Sequence, residues 1–80
     1  MILTDGAHLV SDTSRTELHE FATQLGLARF WFQNHRHPHY DLTTYRAQQA
    51  AIRAGATPVS SRALILALRR MEEPDEAETA

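Results

Sequence analysis

The residues best equipped for chemistry crowd into one stretch, His35–Arg36–His37–Pro38–His39–Tyr40–Asp41. In an extended chain His35, His37 and His39 project from one side at intervals of ~6.6–6.8 Å. Imidazole nitrogens with the Asp41 carboxylate make a donor set for zinc, manganese or iron. The spacing is not that of a compact helical motif such as H-E-x-x-H, so His35 and His37 read more simply as parts of a His-rich loop. His39, Tyr40 and Asp41 lie closer to the next helix, which can hold them rigidly. A second group, His8, Asp12 and His19, surrounds the entry to the first helix, where free N–H groups and the helix dipole attract anions. Taken singly, His8 reads as a core or sheet-edge histidine and Asp12 as a helix-entry residue. Taken together, His8, His39 and Asp41 are the expected metal ligands, with zinc or manganese as the cation. The same three are the expected catalytic groups, His39 or His8 as general base and Asp41 as orienter.

All eight basic residues are Arg, and Lys is absent. Arg favours planar, two-pronged recognition of phosphate or carboxylate, although a GC-rich coding bias also writes Arg for Lys. Arg46 and Arg62 are placed to neutralise such an anion, Arg62 in the first turn of a helix that begins at Ser60 or Ser61. Trp31 and Tyr40 offer stacking surfaces. Asp12 and His19 complete the expected ligand-binding set. Charge is uneven along the chain. Eight Arg against five acids give residues 1–71 a net +3, and Glu72, Glu73, Asp75, Glu76 and Glu78 give residues 72–80 a net −5. A body charge of +3 is weak for a nucleic-acid module. A small phosphate-bearing ligand such as a nucleotide fits better. With no Cys in the chain, disulfides, thiolate metal sites and Cys nucleophiles drop out. A G-x-S-x-G elbow, a Walker loop and a dinucleotide fingerprint are all missing.

These groups need a scaffold, and eighty residues supply one domain with a thin margin of stability. Ile2–Leu3 and His8–Leu9–Val10 are short apolar pieces split by Asp5–Gly6, a turn signal, and read as strands. Ser14 opens a helix through a capping box with Glu17, and Leu18, Phe21, Ala22 and Leu25 form its apolar stripe. Gly26 ends it. Ala28 to Phe32 reads as a strand with Phe30 and Phe32 on one side and Trp31 on the other. Residues 33–41 read as a polar loop. Thr43 or Thr44 caps a second helix, Tyr45 to Ala54, with Tyr45, Gln48 and Ile52 on one face and Arg46, Gln49 and Arg53 on another. Thr57–Pro58–Val59 is an edge or terminal strand at most. A third helix buries Leu64, Ile65, Leu68 and Met71 and stops before Pro74. This order predicts an α/β fold, a miniature three-helix unit with a short, mainly parallel sheet of two or three strands. Residues 1–73 make the single compact domain and residues 74–80 a disordered acidic tail.

Several blocks follow one another in a distinctive order: Ala7–His8–Leu9–Val10–Ser11–Asp12–Thr13–Ser14, Glu17–Leu18–His19–Glu20–Phe21–Ala22, Leu25–Gly26–Leu27, His39–Tyr40–Asp41 and Gly55–Ala56–Thr57–Pro58–Val59–Ser60–Ser61–Arg62. Together they resemble a small bacterial and phage family of unknown function, DUF4031. The resemblance covers roughly residues 7–68 and implies a single cytoplasmic domain of about this length. It brings no activity with it. The family's polar signature falls on His8, Asp12, Glu17, His19, His39, Tyr40, Asp41 and Arg62. Members often carry a longer Pro-rich, Trp-bearing segment before the His-Leu-Val block, where this chain has only Asp5–Gly6, and usually have Glu where this chain has Ala63.

The expectation is a cytoplasmic domain with a His/Asp/Arg-lined pocket for a divalent metal, a phosphate-bearing small ligand, or both, and hydrolysis is one use of such a pocket. The alternative is a non-enzymatic interaction module, a phage- or operon-encoded regulator or inhibitor. It would dock on a protein through Phe30–Trp31–Phe32 and the Arg surface, with the acidic tail steering encounter. A homodimer is compatible with either. Nucleic acid is disfavoured as a partner, and the longest apolar run, residues 63–68, is too short to span a membrane.

Overall fold

The computed structural model describes residues 1–33 and 38–69. Strands β1 (Ile2–Thr4) and β2 (His8–Ser11) pair antiparallel, with Leu3 opposite Val10. Only residues 5–7 join them, and so short a link admits nothing but a hairpin. Gly6 takes φ 99° in that link, a conformation costly for any residue with a Cβ. Asp5 braces it, its Oδ1 accepting from the N–H groups of Ala7 at 3.0 Å and His8 at 2.9 Å.

Helix α1 (Arg15–Leu25) begins where Ser14 Oγ accepts from the Glu17 N–H. The return half of the expected capping box is replaced. The Ser14 N–H bonds Ser11 Oγ, and Glu17 accepts from the Ser11 hydroxyl and the Met1 ammonium. Gly26, at φ 84°, closes the helix in the left-handed conformation, and the Leu27 N–H returns to the Ala22 carbonyl. Next, Arg29–Trp31 forms a 3₁₀ turn and only Phe32–Gln33 is extended (β3). The strand expected over Ala28 to Phe32 is thus cut to its last residue. Its partner β4 (His39–Asp41) has three residues, and the chain then leaves to bond the Leu42 N–H to the Ala7 carbonyl. A longer β3 would find few backbone partners. The loop expected over residues 33–41 accordingly holds the end of β3 and all of β4.

Helix α2 (Tyr45–Arg53) is capped by Thr44, and β5 (Thr57–Pro58) follows it. A third helix, α3, occupies residues 61–69. Ser60 opens it by accepting from the Ala63 N–H. The sheet has five strands in the order β3-β4-β2-β1-β5, and only the β1–β5 pair is parallel. The α/β class holds, but the mainly parallel sheet of two or three strands does not. The crossover through α2 does carry β4 and β5 in one direction. The N-terminal hairpin inserts its two strands between them, so β4–β2 and β2–β1 run antiparallel and only β1–β5 stays parallel.

Strand residues alternate between two apolar layers. Ile2, Leu9 and Tyr40 face Leu18 and Ala22 of α1 and Ala51 of α2, while Leu3 and Val10 face Leu64, Ala67 and Leu68 of α3. The adjacent pairs Ile2–Leu3 of β1 and Leu9–Val10 of β2 are therefore apolar on both faces, as in a sheet covered on both sides. Ala51 forms the buried contact of α2. Tyr45 is 75 % exposed and Ile52 is exposed as well, so of the expected Tyr45/Gln48/Ile52 face only Gln48 is half-buried, its amide donating to the Leu42 carbonyl. On α3 the buried set is Leu64, Ala67 and Leu68, and Ile65 lies at the margin, 37 % exposed. Met71, the residues 34–37 that include His35 and His37, and the tail expected over 74–80 lie outside the described residues.

This docking of α3 makes a contrast between two of its leucines. Leu64→Ala, at 2 % exposure, is expected to lower unfolding free energy by about 2–5 kcal/mol, and Leu66→Ala, at 51 %, by under about 0.5 kcal/mol. Urea denaturation of both variants checks it, and the reverse order would mean that α3 packs by another face.

Candidate metal centre

β2 and β4 are neighbours in the sheet, with His8 opposite Asp41. Residues two apart on a strand share a face, so His39 joins Asp41 and His8 on the side covered by α3. His39 Nε2 lies 3.2 Å from Asp41 Oδ1, and His8 Nε2 lies 4.0 Å from the same oxygen. The two imidazoles meet edge to face with centroids 5.4 Å apart. One donor atom from each of His8, His39 and Asp41 falls within 4.8 Å of the others, and all three side chains are half-buried. A chain register and a turn thus bring two nitrogens and an oxygen to one point.

Asp5 stands behind His8. Both its oxygens are 3.2 Å from His8 Nδ1, Oδ2 also accepts from the Ser61 hydroxyl at 2.9 Å, and its side chain is only 7 % exposed. Burial alone would raise its pKa. Hydrogen bonds from the Ala7 N–H, the His8 ring and N–H, and Ser61 outweigh that, and Asp5 is lowered from 3.8 to about 2. An ionised Asp5 draws the imidazole proton to Nδ1 and leaves the His8 Nε2 lone pair facing Asp41 and His39. This is the carboxylate–histidine pairing typical behind metal-binding imidazoles.

The group opens on a cleft of about 200 Å³ between the sheet and α3, where Leu64, Ile65 and Leu68 face Asp5, His8, His39 and Ser61. On its other flank Asp41 borders a second groove with Phe30, Trp31, Gln33 and Thr43.

The remaining candidates lie elsewhere. His19 and Tyr40 meet on the opposite face of the sheet, Nδ1 to hydroxyl at 2.7 Å, with the Phe32 ring against His19. Asp12 sits beyond the far end of β2 and pairs with the Met1 ammonium at 2.9 Å. Arg46 and Trp31 line a separate cleft with Leu27 and Thr44, and Arg62 lines a surface groove with Ile65, Leu66 and Arg69. Sequence reasoning missed Asp5 and Ser61. Asp5 was hidden by its turn: Asp-Gly is read as punctuation, although the acid three residues before His8 was the available signal. Ser60 and Ser61 read as alternative helix caps; Ser60 fills that role, which frees the Ser61 hydroxyl for Asp5.

His19 supplies a pH dependence distinct from the centre. Burial first, then the positive charges of Arg29 and Arg15, hold its imidazole below the usual 6.5. The unfolded chain therefore binds this proton more readily, so the stabilisation from neutral His19 is complete above about 6.5 and is lost as pH falls below it. Thermal midpoints of the wild type are expected to drop between pH 7 and pH 5 more steeply than those of His19→Gln. Equal slopes would remove His19 as the cause.

Comparison with known proteins adds one match. No curated protein and no solved structure is found to match the chain. The sequence model described as "Protein of unknown function (DUF4031)" matches residues 4–71, from the end of β1 past the described end of α3 and across every residue of the His8/His39/Asp41 group. The match spans most of the chain, which therefore belongs to the DUF4031 family.

Proposed function

We propose that this domain binds one divalent cation, zinc in preference to manganese, through His8 Nε2, His39 Nε2 and the Asp41 carboxylate. The convergence of these three donors within 4.8 Å, with Asp5 fixing the His8 ring from behind, supports this above all else. Two imidazoles and a carboxylate suit zinc, whereas manganese favours oxygen-rich sets. Three protein donors leave a tetrahedral cation one open position, as in sites that exchange ligands, whereas closed structural sites use four. A water held there would be acidified toward neutrality, and His8, His39 and Asp41 would then serve hydrolysis through the cation rather than as bare acids and bases. The phosphate-bearing ligand expected from the sequence gains no support from Arg46 and Arg62, which line other clefts.

A protein-docking role has an observation of its own. Phe30 is 82 % exposed and Trp31 40 % exposed beside it, an apolar pair that the metal set does not use. The pair lines the groove on the far flank of Asp41, away from the cleft beside α3, so the two roles adjoin at Asp41 and are compatible.

Calorimetric titration of tag-free protein with zinc and manganese tests the metal centre. One zinc per chain is expected, bound more tightly than manganese. His8→Ala and Asp41→Ala should each weaken zinc by roughly 100-fold or more, and Asp5→Asn by roughly 10–100-fold through loss of ring orientation. Circular dichroism of the same variants separates lost binding from lost folding. A folded His8→Ala/Asp41→Ala double variant that binds zinc like the wild type would contradict the assignment.

A further inference from the structure

The cleft beside the metal donors has a composition that selects among ligands. Its polar members, Asp5, His8, His39 and Ser61, gather at the sheet and at the start of α3. The opposite wall is hydrocarbon, built from Leu64, Ile65 and Leu68. Its volume of about 200 Å³ equals that of six or seven waters at roughly 30 Å³ each. The charges are nearly balanced. A dication held by neutral imidazoles and one carboxylate carries +1, and the buried Asp5 anion behind His8 offsets it. Among the described residues no Arg lines this cleft. One added negative charge is tolerable there, whereas a dianion meets Asp5 in the cleft and Asp41 at the cation, with no Arg among the described lining residues to offset it.

We infer that the open position of the cation takes a small monocarboxylate whose hydrocarbon tail lies against Leu64, Ile65 and Leu68, in preference to a phosphate monoester. This rests on the metal assignment above and names the ligand class of the same site. The carboxylate supplies the oxygen donor the cation lacks, and the apolar wall supplies affinity that grows with tail length. Ile65 sets that dependence. It lines the cleft yet is 37 % exposed, so its replacement does not empty the core.

Cobalt(II)-loaded protein provides the test, because its visible spectrum changes when a donor at the open position is exchanged. Acetate, propionate, butyrate, pentanoate and hexanoate are titrated alongside methyl phosphate. Affinity is expected to rise roughly fourfold per methylene until the cleft is filled, with butyrate binding more tightly than methyl phosphate. Ile65→Ser should flatten that rise, and a metal titration of the same variant reports on the donors separately. Equal affinity along the series, or tighter binding of methyl phosphate, overturns the ligand class while leaving the metal centre standing. A chain that takes up no cobalt or zinc overturns the metal assignment, and this inference with it.

Discussion

One buried carboxylate ties the molecule together. Asp5 accepts from the backbone of the β1–β2 turn, faces the His8 ring with both oxygens, and receives the Ser61 hydroxyl from a helix 56 residues further along the chain. Each of these bonds favours the charged acid, and together they overcome the desolvation that opposes it. Removing any one donor leaves an ionised group short of partners in a place water scarcely reaches. The hairpin, the orientation of His8 and the seating of α3 are therefore coupled through a single side chain.

The pleat does the rest. β2 sends Leu9 to the layer beneath α1 and α2, and His8 and Val10 to the layer beneath α3; β4 sends Tyr40 one way, His39 and Asp41 the other. Sliding β4 by one residue would turn Tyr40 into the polar group and drive two ionisable side chains into hydrocarbon. The Leu9–Tyr40 pair and the His19–Tyr40 hydrogen bond oppose that slip. In this way the aromatic core on one face sets the register of the polar group on the other. Among the described residues no Arg joins the cleft beside His8 and His39, because Arg46, Arg53, Arg62 and Arg69 lie on α2 and α3 and Arg15 and Arg29 on α1 and the 3₁₀ turn rather than on the strands.

Local signals carried much of this. Ser14 and Gly26 bound α1, Thr44 caps α2, and the apolar pairs Ile2–Leu3 and Leu9–Val10 mark the two covered strands. His8, His39 and Asp41 were legible by residue type, although their meeting depends on a pairing between segments some thirty residues apart, which no local pattern encodes. The sheet was misjudged because crossovers imply parallel strands, while a hairpin too short to look important supplied the central pair. The three aromatics Phe30, Trp31 and Phe32 were misleading for a related reason. Strand preference is realised only beside a partner strand, and here just Phe32 finds one.

The central claim, that Asp5 holds the His8 proton on Nδ1 so that Nε2 meets His39 and Asp41 at a cation, is tested most directly by nitrogen NMR of the imidazole rings during zinc addition. Nε2 of both His8 and His39 should move to metal-bound shifts while His8 Nδ1 stays protonated, and the His19 ring, on the far face, should stay where it was. Zinc addition that leaves the His8 and His39 nitrogens unmoved, or that moves His19 instead, would contradict it.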